Sequence, residues 1–185
     1  YSYLIDGLLA LHEATFDLRW LREAVSVADQ MCNLFWSEAE QAFYDTGSDH
    51  ESLIIRPRDV FDNATPSGGA VAADVLLRLA VITGNPEYNR KAVATLCGLR
   101  MLMARAPLGF AHWLCALDFH LSTPKEIAIV GSREDRATQA LLDEVYSRYL
   151  PNKVLTGFDP ADPDAMDEVP LLEDKYMLDG KPSAF

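Results

Sequence analysis

Apolar residues recur at helical spacing through most of the chain. Leu4, Leu8 and Leu11, widened by Ile5 and Leu9, mark a helix over residues 1–15. Phe16-Asp17-Leu18 interrupts the pattern. It resumes from about Arg19 to Trp36, with Leu21, Ala24, Val25, Ala28, Met31, Cys32 and Phe35 on one face. So short a link predicts an antiparallel helical hairpin, with His12 near the join as a surface or satisfied histidine. A third helix is expected from Pro66 to Thr83, with Ala70, Ala73, Leu76, Leu77, Ala80 and Val81 inward. Gly84-Asn85-Pro86 ends it and opens a fourth, to about Ala104, striped by Tyr88, Ala92, Leu96, Leu99 and Met103. A fifth runs from Pro107 to Leu121, with Phe110, Leu114, Leu117 and Leu121 inward. Small residues are frequent on helices three to five and let axes approach closely, so the expectation is a layered ring or stack of hairpins.

The period departs from helical in two places. Ala42 to Asp45 and Ser52 to Ile55, joined by Thr46-Gly47-Ser48-Asp49, read as two short strands of an inserted hairpin. Further on, Glu126 to Gly131 reads as a strand, Asp135 to Tyr149 as an amphipathic helix, and Lys153 to Thr156 as a second strand. A connection of that length implies parallel pairing. Gly131-Ser132, at the strand-to-helix turn, is either an anion site or simply the start of a capped packing helix. Residues 159–174 hold seven acids, three prolines and no base, the composition of a solvated tail. Asp159, Asp162 and Asp164 hint at calcium, but the glycine and distal glutamate of a calcium loop are missing. The fold class is mainly α: a partial α/α toroid of helical hairpins over 1–122, interrupted by a short β-hairpin. A strand-helix-strand unit over 123–158 and an acidic tail over 159–185 follow.

Charge narrows the partners. Sixteen Lys and Arg against 28 Asp and Glu give a net charge of −12, which repels phosphate backbones and argues against nucleic acid. No apolar run reaches the roughly 18 residues that a membrane span needs. Residues 1–20 lack a signal peptide's basic start, so a cytoplasmic protein is expected. Cys32, Cys97 and Cys115 are far apart and odd in number, which suits buried reduced thiols better than redox or metal chemistry. No cofactor and no metal are expected. Tyr1-Ser2-Tyr3 already lies in a helical pattern, as if inside a longer protein.

Against this plain background, residues 49–69 stand out. Asp49, His50, Glu51, Arg56, Arg58, Asp59, Asp62 and Asn63 crowd into one loop ending at Thr65-Pro66-Ser67. Threonine before proline is a helix start, with the Thr65 hydroxyl as cap and Pro66 at the first helical position. Polar side chains beside the spare N–H groups of a helix N-terminus suit a carboxylate, a phosphate or a sugar oxygen.

The order of pieces also resembles a known family. Tyr3-Leu4-Ile5-Asp6-Gly7-Leu8-Leu9, Arg56-Pro57-Arg58-Asp59, Asp62-Asn63-Ala64-Thr65-Pro66-Ser67-Gly68, Ala106-Pro107-Leu108-Gly109-Phe110-Ala111-His112, Leu150-Pro151-Asn152-Lys153-Val154 and Asp179-Gly180-Lys181-Pro182 carry the likeness. Together they resemble the C-terminal region of the spermatogenesis-associated protein 20 family, also described as thioredoxin-domain-containing proteins. The resemblance implies an N-terminal thioredoxin-like domain followed by a helical toroid. That toroid is similar to the (α/α)6 barrels of N-acylglucosamine 2-epimerases and six-hairpin glycosidases. Two departures stand out: the thioredoxin-like domain is not in this sequence, and Gly69 occupies a position where asparagine is expected.

Two functional readings follow. In the first, the loop and His112 line a carbohydrate-binding or carbohydrate-processing pocket. His50, Asp59, Asp62 and His112 are its candidate acids and bases, and Asp49, Arg56, Asn63, Thr65 and Ser67 its substrate contacts. Barrel epimerases use histidine acid–base pairs and glycosidases paired carboxylates. In the second, the chain is a non-catalytic scaffold for a thioredoxin-like domain or another protein, with exposed helix faces that favour self-association.

Overall fold

The computed structural model describes residues 1–51, 55–161 and 168–185. Helix α1, Ser2–Thr15, ends where Phe16 turns left-handed (φ 59°) and returns its N–H to the His12 carbonyl. Asp17 then caps α2, Leu18–Phe35, by accepting the Arg19 N–H at 2.9 Å. Two residues thus reverse the chain, and the expected hairpin forms. Its α1 stripe is narrower than expected: Ile5, Leu8 and Leu9 are buried while Leu4 and Leu11 face outward.

The chain then makes a short antiparallel ladder, β1 Trp36–Ser37 with β2 Ala42–Phe43. The β-hairpin is present, but its other strand precedes Ala42 rather than follows it. The edge-on packing of Trp36 against Phe43, ring centroids 5.0 Å apart, favours this pairing. Residues 52–54 of the expected partner lie outside the described residues, and Ile55 is exposed.

Helix α3, Gly68–Thr83, is apolar nearly all round, which demands burial on every side. It sits between α1 and α5 and also packs on α4. Only Asp74 and Arg78 interrupt its apolar surface. Helix α4, Pro86–Arg105, is capped by Asn85 and buries Tyr88, Ala92, Leu96, Leu99 and Met103, the expected stripe. A single tight turn at Pro107–Gly109 stands where the fifth helix was expected to begin. α5 proper is Ala111–Leu121, and its buried face is Trp113, Ala116 and Phe119. The helix is therefore rotated from the expected 114–117–121 stripe, and Leu121 is 73% exposed. The large Trp113 and Phe119 rings bury more apolar area than the leucines and set the orientation.

Strand β3, Lys125–Val130, pairs parallel with β4, Lys153–Phe158, through α6, Arg136–Tyr146, as the spacing implied. Strand β5, Ser183–Ala184, adds antiparallel to the other edge of β3, giving the order β4-β3-β5. One sheet face joins the helical core through Ala128, Val130, Val154 and Phe158. The other packs Ile129 and Leu155 with Phe16 and Leu142. A Cβ at Gly131 would lie 2.5 Å from Thr138 Oγ1 and 2.8 Å from Pro182 Cβ, so the turn into α6 packs tightly here and leaves no room for a side chain.

The acidic tail is not solvated throughout. Val169 and Leu172 are buried in the main core, and Glu168 accepts from Arg22 Nε at 2.8 Å. Residues 162–167, including Asp162 and Asp164, lie outside the described residues. Among the described residues, no helix is long and apolar enough to cross a membrane. The expectation of buried thiols holds only in part: Cys32 is half-buried, where burial pushes its thiol up to about 11, while Cys97 and Cys115 are exposed.

His12, buried, ties the end of α1 to the sheet, with Nε2 2.9 Å from Thr156 Oγ1 and Nδ1 3.3 Å from the Asp17 carbonyl. Burial lowers its pKa, only partly opposed by the Asp17 carbonyl. A histidine that resists protonation when folded stabilises fully above its unfolded pKa, and that stability is lost as the pH falls through its folded pKa. Unfolding midpoints should therefore drop between neutral and mildly acidic pH, and His12→Gln should flatten that drop, as read by denaturant titration at each pH.

Candidate functional site

The residues between β2 and α3 are laced to the end of α2. Tyr44 N–H donates to the Phe35 carbonyl at 3.0 Å, and Ser48 N–H to Leu34 at 2.7 Å. Arg56 donates to the carbonyls of Leu34, at 3.3 Å, and Thr46, at 2.6 Å, and its guanidinium lies 4.3 Å from the Tyr44 ring centre. Both bonds come from Nη2, while Nε is buried without a partner, so Arg56 braces the loop through one nitrogen of its guanidinium.

Asp62 is a second structural member. Its Oδ1 accepts the Ser67 N–H and its Oδ2 the His112 N–H, both at 2.8 Å. One carboxylate therefore bridges the starts of α3 and α5, where spare N–H groups and the helix dipoles favour negative charge. The cap of α3 is Ser67, whose hydroxyl accepts the Ala70 N–H at 3.3 Å. Thr65 is exposed, and the helix begins at Gly68 rather than Pro66, whose carbonyl instead accepts the Tyr3 hydroxyl at 2.7 Å. Asn63 N–H turns back onto the Thr65 carbonyl at 3.0 Å.

Beside the start of α3 lies a cleft of about 260 Å³. Tyr1, Tyr3 and Tyr44 line it, with Asp45, Arg58 and Asp59 among its polar residues. Asp59 donates its N–H to Asp45 Oδ2 at 2.6 Å and accepts the Phe61 N–H at 3.1 Å, so the two carboxylates share one wall. Trp113 closes the floor and donates Nε1–H to the Val60 carbonyl at 2.9 Å. Gly69 is explained here: a Cβ would sit 3.0 Å from Trp113 Cη2, so the indole occupies the room that an asparagine would need.

The nine candidate residues do not converge. Asp59 lines the cleft. Asp62, Asn63, Thr65 and Ser67 shape the approach to α3, and Arg56 braces the loop. Asp49 and His50 are exposed on the turn and line neither this cleft nor the cavity that holds His112. His112 faces a different cavity, of about 580 Å³, with Asp74 and Arg78, so the structure does not unite His50 with His112. Sequence reasoning missed Asp45, Tyr3 and Trp113. Asp45 had a signal, as an acid ending a short strand. The other two lie in helical segments outside the apolar stripes read from the sequence, and packing places them at the cleft.

These elements define a mainly helical protein of paired hairpins carrying a small mixed sheet, with a cleft at the start of its central helix. No protein-family model matches the chain. It is 32% identical over its whole length to spermatogenesis-associated protein 20 of Homo sapiens, of which it spans 24%. It is 35% identical to the proteins of that name in Rattus norvegicus and Mus musculus, over 84% of this chain and 20% of each. The chain is homologous to part of the spermatogenesis-associated protein 20 family and covers about a quarter or less of those relatives' length.

Loss of the bridging carboxylate should unseat both helix starts. Asp62→Ala is expected to cost about 2–3 kcal/mol, two charge-assisted bonds to partly buried N–H groups, measured by chemical denaturation. Gly69→Asn should displace the Trp113 indole and shift its fluorescence maximum, at a cost of about 1–3 kcal/mol from overpacking.

Proposed function

We propose that the chain is the helical part of a spermatogenesis-associated protein 20-type protein, a segment of an α/α toroid whose cleft takes a carbohydrate. The observation that carries this reading is the cleft lining itself. Exposed Tyr1 and Tyr3 line one concave site together with Asp45, Asp59 and Arg58. A sugar ring offers an apolar C–H face to an aromatic ring and a rim of hydroxyls to charged acceptors and donors. The paired carboxylates, Asp45 beside Asp59, favour glycosidase-like binding or processing over epimerase chemistry, which would need the two histidines in one place. Asp62, both oxygens engaged by backbone N–H groups, is left as the residue that holds the wall.

A second reading, a scaffold for a thioredoxin-like domain or for a further copy of the chain, draws on another face. Between α4 and α5 runs an apolar groove lined by Leu96, Met103, Leu114, Leu117 and Leu121. On that reading, substitutions in the cleft leave partner binding unchanged.

Titration with a monosaccharide panel, followed through the indole signal of Trp113, separates the two. A saturable shift is expected in the parent chain and in His50→Ala. It should weaken at least about tenfold in Asp59→Ala and Arg58→Ala, about 1.4 kcal/mol each. Binding indifferent to both substitutions, or no binding at all, would sink the carbohydrate reading.

A further inference from the structure

The cavity that holds His112 lies away from the cleft and has a different chemistry. Acidic and basic side chains line much of it: Glu13, Asp74, Arg78, His112, Asp118 and Lys153. The side chains of Glu13, Asp74, Arg78 and Lys153 are only 19%, 20%, 21% and 20% exposed. Charged groups held that far from water need partners. Most have one. Arg78 Nη1 donates to Asp6 at 2.9 Å, Lys153 pairs with Glu13, and Asp118 accepts from Asn152 at 2.7 Å.

Asp74 and His112 are the exceptions. Among the described residues Asp74 makes no hydrogen bond. Its carboxylate lies 3.9 Å from His112 Nε2, beyond hydrogen-bond reach, and that nitrogen is itself buried without a partner. Burial raises the Asp74 carboxyl above the usual carboxylate range, against the pull of Arg78 and His112. A half-buried carboxylate without a donor, beside a buried imidazole nitrogen without a partner, marks an incomplete network rather than a finished core.

The sign pattern says what completes it. Asp74 and Arg78 stand four residues apart on α3 and are neighbours on one helix face. They present a negative and a positive group side by side. Arg78 has engaged one of its nitrogens with Asp6 and keeps further N–H groups for an anion. A ligand whose ammonium and carboxylate hang from one carbon offers the reverse pair. A simple cation would meet Arg78 and Lys153, and a simple anion would meet Asp74, Glu13 and Asp118. The cavity's volume leaves room for a side chain.

We propose that this second cavity binds a small zwitterion, an α-amino acid, with its ammonium on Asp74 and its carboxylate on Arg78, and with His112 as the neighbouring wall. This site is independent of the carbohydrate reading, so either can fail alone.

The test uses glycine against its two halves, methylammonium and acetate, on the whole chain, read through the His112 ring signals by NMR. Glycine should shift them saturably, at concentrations at least about tenfold below either half-molecule, and Asp74→Asn should weaken glycine about tenfold or more. The comparison of three probes needs no variant, so an Asp74→Asn protein that fails to fold leaves it decisive. The proposal is overturned if acetate or methylammonium matches glycine. Folded Asp74→Asn that binds glycine undiminished overturns it too, as do ring signals unmoved by roughly 100 mM glycine, a generous ceiling for so small a ligand.

Discussion

One carboxylate ties the starts of α3 and α5 together. Asp62 receives an N–H from the start of α3 and another from the start of α5, each at 2.8 Å. Two helix N-termini brought side by side present partial positive charges and unpaired donors to each other, an arrangement that an anion must satisfy. Because the two bonds belong to different helices, the loop from 59 to 67 cannot move without shifting both. That rigidity carries over to the cleft. Asp62 N–H also donates to the Gly109 carbonyl at 2.8 Å, and Phe61 stacks near Phe110, ring centroids 5.2 Å apart. The residue next to the polar wall is therefore pinned from two sides.

Two groups of charged residues flank α3. On one side of α3, Asp45, Arg58 and Asp59 meet tyrosine rings in an open cleft. On the other, Asp74 and Arg78 project from an otherwise apolar helix towards His112, Lys153 and Glu13. A central helix buried on nearly every face has little reason to carry charge. The two ionisable residues it does carry, one turn apart, both face the second cavity.

The appended sheet is part of this arrangement rather than a separate body. Val130 and Phe158 share the helical core, and His12 reaches from α1 to Thr156 on β4. Lys153, at the start of β4, closes the second cavity. The acid-rich C-terminal segment contributes Val169 and Leu172 to the same core and returns as an edge strand. Glu168, held below the usual carboxylate range by its bonds with Arg22, anchors it.

Much of this was legible in the residues alone, because the relevant forces are local. Helix spans follow from the 3.6-residue recurrence and from breakers such as Gly84-Asn85-Pro86. The parallel β3–β4 pair follows from a connection too long for a hairpin. The density of polar residues from 49 to 69 marked a loop that leads into α3, and part of that loop lines a cleft. What the sequence could not settle was which of several chemically equivalent groups takes each job. Thr65 and Ser67 both offer a capping hydroxyl, and only the path of the backbone chose Ser67. Asp59 and Asp62 are both loop acids, yet the approach of α5 turned one into a brace and left the other on the cleft wall. His50 and His112 looked like partners because sequence carries no distance. The rotation of α5 was set by fitting Trp113 and Phe119 into the core, and that packing, a sum over contacts between distant segments, sent His112 to Asp74 instead.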